Sequence, residues 1–186
     1  MSKQKILDAA KSLLWDRGYE AMSPRAVMDE SGAGQGSLYH HFGSKKDLSL
    51  EAIESIKADL LADAAEVFQS DLSPLEKLTV FLKKERASLK GCKIGRLAQE
   101  KSIIEDADLS ALLVAYFQQL TEWISDTIAK AQETGKLRSS VTPQEAATLI
   151  LSVIQGGYVL SRAEADSQKL SMAADAVLIL LMTQNN

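Results

Sequence analysis

The stretch Gly32-Ala-Gly-Gln-Gly-Ser-Leu-Tyr-His-His-Phe42, continued by Gly-Ser-Lys-Lys-Asp-Leu48, decides how the rest of the chain is read. Glycines punctuate a short helix that carries one tyrosine and two histidines, and a lysine pair opens the next helix. At helical pitch Leu38 and Phe42 are four apart and share a face. Gly36 and His40 fall nearly opposite, with Gln35, Ser37 and Tyr39 around the edges. Such a helix packs by its Leu/Phe edge and turns a compact polar surface outward.

Upstream, Lys5 to Gly18 reads as an amphipathic helix, with Ile6, Ala9, Ala10, Leu13 and Leu14 at the 3, 4 spacing and Gly18 as its stop. Ser23-Pro24 supplies an N-cap and a proline at the first helical position. That second helix is short, has Val27 and Met28 inward, and ends near Ser31-Gly32. Three short helices joined by tight, glycine-bearing turns describe a helix-turn-helix, a motif whose last helix enters the major groove of DNA.

These residues carry a resemblance. Residues 3–48 resemble the DNA-binding domain of the TetR family of transcriptional regulators. The matching features are Ile6-Leu-x-Ala-Ala10, Gly18-Tyr19, Ser23-x-Arg25, the Ser31-Gly32 turn, Gly36-Ser-Leu-Tyr39-x-His41-Phe42 and Ser44-Lys45-x-x-Leu48. Two positions depart from the family's pattern: Gly34 stands where a Ser or Thr cap is usual, and Met28 where Ala is usual. The resemblance implies that Gln35, Ser37, Tyr39 and His40 face operator DNA, that Gly36 permits close approach, and that Lys45 meets a phosphate. Arg25, at the start of the helix that crosses the backbone, joins them. Gln suits bidentate bonding to adenine, and Ser, Tyr and Lys suit phosphate.

Composition agrees with an all-α chain. Among 186 residues there are 3 Pro and 10 Gly, and 46% are apolar, enough for a real core. The net charge of −4 is unevenly spread: residues 1–48 hold seven Lys/Arg against six Asp/Glu, and the remainder 14 against 19. One cysteine rules out an internal disulfide, and with no apolar run near bilayer length and no signal segment at the start, a cytoplasmic protein without a membrane partner is expected.

Beyond Ser44 one long helix runs to Phe68, then Asp71-Leu-Ser73-Pro74 breaks it. Ser73-Pro-Leu-Glu76 is a capping box that predicts a helix to about Lys90. A glycine-bounded turn at Gly91 enters a single short helix, and a long amphipathic helix starts at Ala107 or Asp108 and stops at Gly135. Thr142-Pro-Gln-Glu145 is a second capping box. Residues 146–160 and 173–182 are apolar almost all round, so both helices need burial on every side. Against the alternative of core helices within one monomer, that favours a homodimer interface using Ile150, Val153, Ile154, Gly157, Ala173, Val177 and Leu180. About nine helices are expected, as a DNA-binding domain over 1–48 and an effector-binding and dimerisation domain over 49–186.

Residues 73–135 are expected to enclose a small-molecule effector, with Phe81, Cys92, Leu97, Tyr116, Phe117, Leu120, Trp123 and Tyr158 as candidate lining. The segment Gly91-Cys-x-x-x-x-Leu97-Ala-x-Glu100 resembles a TetR subset in which this cysteine is common and senses electrophiles or oxidants in some members, so a thiol-sensing repressor is the alternative. Enzyme readings find no support: both histidines sit in the DNA-binding motif, which leaves Cys92 without a base, and no spacing suits a metal or cofactor. A helical adaptor dimer would explain the C-terminal helices and leave the head unexplained.

Overall fold

The computed structural model describes residues 2–182, whose regular elements are ten helices. They are α1 (Lys3–Arg17), α2 (Pro24–Ser31), α3 (Gln35–His41), α4 (Lys45–Phe68), α5 (Pro74–Lys83), α6 (Lys93–Leu97), α7 (Lys101–Ile104), α8 (Ala107–Glu133), α9 (Pro143–Glu164) and α10 (Gln168–Leu181). The predicted starts hold. Ser23 Oγ accepts the Ala26 N–H at 3.1 Å. The Glu76 carboxylate accepts from the Ser73 N–H at 2.9 Å, and Glu145 from the Thr142 N–H at 2.8 Å.

Two stretches differ from expectation. The fifth helix ends at Lys83 rather than near Lys90. Arg86 folds back and donates to the carbonyls of Phe81, Leu82 and Lys84 at 2.5, 3.1 and 2.8 Å, supplying the partners that another helical turn would have given. The segment after Gly91 forms two short helices, not one, because the backbone turns extended at Glu100 before α7. That break accounts for the tenth helix.

The contacts divide the chain into two compact units, and not by a single cut after residue 48. The first comprises residues up to Leu60 together with Lys93–Tyr116; the second comprises Leu61–Cys92 and the chain from Phe117 onward. In the first unit Ile6, Leu14, Ile53, Ile94, Leu97, Ile103 and Leu109 are buried. These are the apolar positions of α1 and α4 joined by residues some ninety positions further on.

In the second unit α10 packs against α9 and α5. At Gly157 α10 passes close to α9: a Cβ there would stand 2.6 Å from Leu170 Cδ1 and 3.0 Å from Leu170 Cα. This corrects part of the expected dimer surface. Ile150, Ile154, Gly157 and Val177 are buried by their own chain, so they have almost no area left for a second copy. The outward apolar residues are Leu149, Val159 and Leu160 on α9 and Met172, Ile179 and Leu180 on α10. Val153 and Ala173 are half-buried. Contrary to the sequence expectation, α9 is long and apolar enough to cross a bilayer by length and composition. Its buried side, seven residues against the chain's own core, gives that apolarity a packing role.

Candidate nucleic-acid interface

The short helix α3 is anchored where the sequence placed its anchors. Leu38 is 2% and Phe42 3% exposed, whereas Gln35, Gly36, Tyr39 and His40 are all exposed. A Cβ built on Gly36 meets nothing within 4 Å, so the outward face is bare at its centre. Gly34 forms the N-cap with no side-chain bond, as its lack of a side chain requires. Ser37 is half-buried at the edge of this face. His41 turns inward to half-burial and stacks edge-on between His40 and Phe42, at 5.0 and 6.4 Å between ring centroids.

Arg25 projects from the first turn of α2 with its side chain 88% exposed, and Asp29 lies at 4.0 Å, too far and too solvated to hold it. At the start of α4, Ser44 Oγ accepts the Asp47 N–H at 3.1 Å and caps the helix. The two lysines that follow diverge. Lys45 lays its ammonium over the Tyr19 ring, 4.3 Å from the centroid, and donates to the Glu20 carbonyl at 3.4 Å. Lys46 turns away and is clasped by Asp106 and Asp108 at 2.8 and 2.7 Å. Hydrogen bonds from Lys46 to Asp106 and Asp108 push the Lys46 pKa up, and the Lys46 contact holds Asp106 below the usual carboxylate range.

Sequence reading missed Tyr19, Asp106, Asp108 and Glu100 as neighbours of this surface. No spacing in the sequence couples residue 20 to residue 100. Yet the Glu100 carboxylate accepts the Tyr19 and Glu20 N–H groups, each at 3.0 Å, and Arg96 donates to the carbonyls of Trp15 and Asp16 at 2.6 and 2.9 Å. Burial is the main cause that raises the Tyr19 pKa, with Asp106 and Glu20 adding to it, so its hydroxyl stays neutral.

The expected effector-lining residues fall in both units. Leu97 and Tyr116 belong to the first and are buried there. Phe81, Cys92, Phe117, Leu120, Trp123 and Tyr158 belong to the second. There Phe68 stacks tilted on Phe81 and Trp123, at 5.0 and 6.0 Å. Tyr158 is pushed up to about 12, first by burial and then by the neighbouring Cys92. Ser125 Oγ is buried with no hydrogen-bond partner. Among the described residues no group of His, Cys, Asp and Glu is placed to hold a metal ion.

Known proteins share this sequence pattern and fold. Residues 6–52 match the model of bacterial regulatory proteins of the tetR family, and residues 74–176 match the C-terminal domain of LmrA/YxaF-like transcriptional regulators. The chain is 32% identical over 187 residues to the HTH-type transcriptional regulator LmrA of Bacillus subtilis (strain 168), covering 97% of this chain and 96% of that protein. It is 22% identical to the HTH-type transcriptional repressor DhaR of Mycobacterium sp. (strain GP1), covering 97% and 92%. A transcriptional regulator of the TetR family from Agrobacterium tumefaciens has the same fold, with a TM-score of 0.88 at 22% identity over 97% of both chains. The bare-faced α3 and the capped start of α4 thus lie in the part of the chain that matches the DNA-binding region: the chain belongs to the TetR family of helix-turn-helix DNA-binding proteins, which are not enzymes.

Proposed function

We propose that the chain is a dimeric cytoplasmic repressor that leaves a pseudo-palindromic operator when a small molecule binds its helical body. The observation that carries the reading is the division of α3, with Leu38 and Phe42 sunk in the protein and Gln35, Gly36, Tyr39 and His40 exposed beside them. In this reading Gln35 reads a base edge, and Ser37, Tyr39, Arg25 and Lys45 position the helix on phosphates. Repression is supported by relatives such as DhaR, which carry that description.

The dimer is supported by the outward apolar residues of α9 and α10. Leu149, Val153, Gly156 and Leu160 recur at the 4, 3, 4 spacing on α9, flanking the side that Ile150, Ile154 and Gly157 bury. A dimer would carry two α3 helices, one for each half-site of a pseudo-palindrome read on successive turns of the major groove. The effector reading is supported by the Phe68, Phe81 and Trp123 cluster and by the unpartnered Ser125 hydroxyl, in the same unit as Phe117, Leu120 and Tyr158. An effector releases DNA only if the DNA-free conformer binds it more tightly.

The test is a mobility shift on the DNA upstream of the protein's own coding sequence, with a salt series. Wild type should bind with steep salt dependence. Gly36→Ala should fold, and gain up to about 1 kcal/mol in helix stability, yet bind more weakly because its methyl occupies the bare face. Binding undiminished by Gly36→Ala, or no salt-sensitive binding by wild type, would refute the reading.

A further inference from the structure

Glu100 ends the Gly91–Glu100 segment, and the function above gives it no task. Its geometry does. α1 ends at Arg17, and Gly18 takes φ 83° and ψ 175°, so the amides of Tyr19 and Glu20 lie beyond the last helical turn. One carboxylate serves both: Oε1 accepts the Tyr19 N–H and Oε2 the Glu20 N–H, at 3.0 Å each. Two bonds from a planar group fix the orientation of a turn, where one would leave it free to pivot. Gly18 permits this approach, since a Cβ on it would stand 2.4 Å from Oε1. Arg96, on the same segment, pins the preceding carbonyls of Trp15 and Asp16.

The same two residues hold Lys45. The ring of Tyr19 lies under its ammonium and the Glu20 carbonyl accepts from it. A lysine side chain has several free rotors, and immobilising it on DNA costs rotamer freedom. A cation already seated on an aromatic face and a carbonyl has met part of that cost before DNA arrives.

We propose that Glu100 is a positioning residue for DNA binding: it fixes the Tyr19–Glu20 turn, and that turn holds the Lys45 ammonium where it meets a phosphate. The proposal rests on the reading of Lys45 as a phosphate contact. It also runs against simple electrostatics. Glu100 carries a negative charge near a surface that meets a polyanion, so removing it should tighten DNA binding if charge alone mattered. Positioning requires the opposite.

The experiment uses the full chain and a mixed-sequence DNA duplex, because a phosphate contact is present whatever the sequence. Fluorescence anisotropy across a salt series gives Kd and its salt slope for wild type, Glu100→Ala, Glu100→Gln, Tyr19→Leu and Lys45→Ala, with folding followed by circular dichroism. Lys45→Ala should weaken binding roughly threefold or more and flatten the slope by about one phosphate. Glu100→Ala, Glu100→Gln and Tyr19→Leu should each weaken binding by part of that factor. None should weaken it further when combined with Lys45→Ala. Folded Glu100 variants that bind as tightly as wild type or tighter, while Lys45→Ala binds weakly, overturn the positioning role and leave the phosphate contact standing. An undiminished Lys45→Ala overturns both. If the Glu100 variants do not fold, Tyr19→Leu decides: wild-type affinity overturns the proposal, and a loss that vanishes in the Lys45→Ala background supports it.

Discussion

Gly18→Ala should be among the most damaging single-methyl substitutions in the first unit. Two costs add. The backbone at Gly18 has φ 83° and ψ 175°, a region that only glycine enters freely, and holding alanine there costs about 1–3 kcal/mol. The new Cβ would also lie 2.4 Å from Glu100 Oε1, well inside contact distance. The carboxylate sits at the end of a flexible chain and can swing away, so the clash itself is cheaply relieved. Moving it forfeits the bonds to the Tyr19 and Glu20 N–H groups. Both amides lie where water can partly replace the lost acceptor, so about 1 kcal/mol each is reasonable. The sum is about 3–5 kcal/mol, against a total stability of about 5–15 kcal/mol for a domain. Urea unfolding at neutral pH measures it directly. The decomposition is testable as well: Glu100→Ala alone should cost about 2 kcal/mol, and the double variant should cost little more than Gly18→Ala, because the first change has already displaced the carboxylate. A Gly18→Ala protein within about 0.5 kcal/mol of wild type, or fully additive costs, would refute the reasoning.

Three further outcomes follow from the geometry. Gly157→Ala should destabilise the second unit, with overpacking against Leu170 costing about 1–3 kcal/mol before a partial offset from helix propensity; a raised melting temperature would contradict it. The carboxyl of Asp106 is held low by Lys46, and those of Glu76 and Glu145 by their capping partners. Their stabilisation is therefore present above the ordinary carboxylate pKa and is lost as pH falls through the lower folded values. Urea midpoints should drop below about pH 4, and Asp106→Asn should lose less over that window than wild type does. Ser125→Ala removes a buried hydroxyl with no partner and should hold or raise stability, by up to about 1–3 kcal/mol. If an effector bonds that hydroxyl, the same variant responds to it less in the DNA-release assay.

The parts legible in the sequence were those fixed by neighbours in the chain. The Leu38/Phe42 edge, the Ser23, Ser73 and Thr142 caps and the bare Gly36 depend on residues within four positions, and each stands as read. What escaped depends on distant partners. The apolar character of Ile150 and Val177 is the same whether the covering helix comes from this chain or from another, and here both are buried within their own chain, where α9 packs on α10. The early end of α5 is written in Arg86, three residues past the last helical one, whose guanidinium satisfies carbonyls that periodicity alone would have extended. Lys45 and Lys46 are the same residue type side by side, and the family resemblance singles out only the first. Tyr19 and Asp106 separate them into a cation seated on a ring and a cation committed to a carboxylate clasp.

The first unit's make-up from two separated stretches bears on how the protein comes off the ribosome. The motif that identifies the DNA reader is complete by Leu48, but Ile94, Leu97, Ile103 and Leu109, which share the buried interior with Ile6 and Ile53, are synthesised far later. Until they emerge, the reader lacks much of its core and the Glu100 carboxylate that ties down its first turn. A nascent chain released before about residue 116 would carry every side chain proposed to meet DNA and no finished scaffold beneath them. Competence to bind an operator is thus delayed until more than half of the chain has been made, and a proteolytic fragment ending near residue 52 should be a poor substitute for the whole.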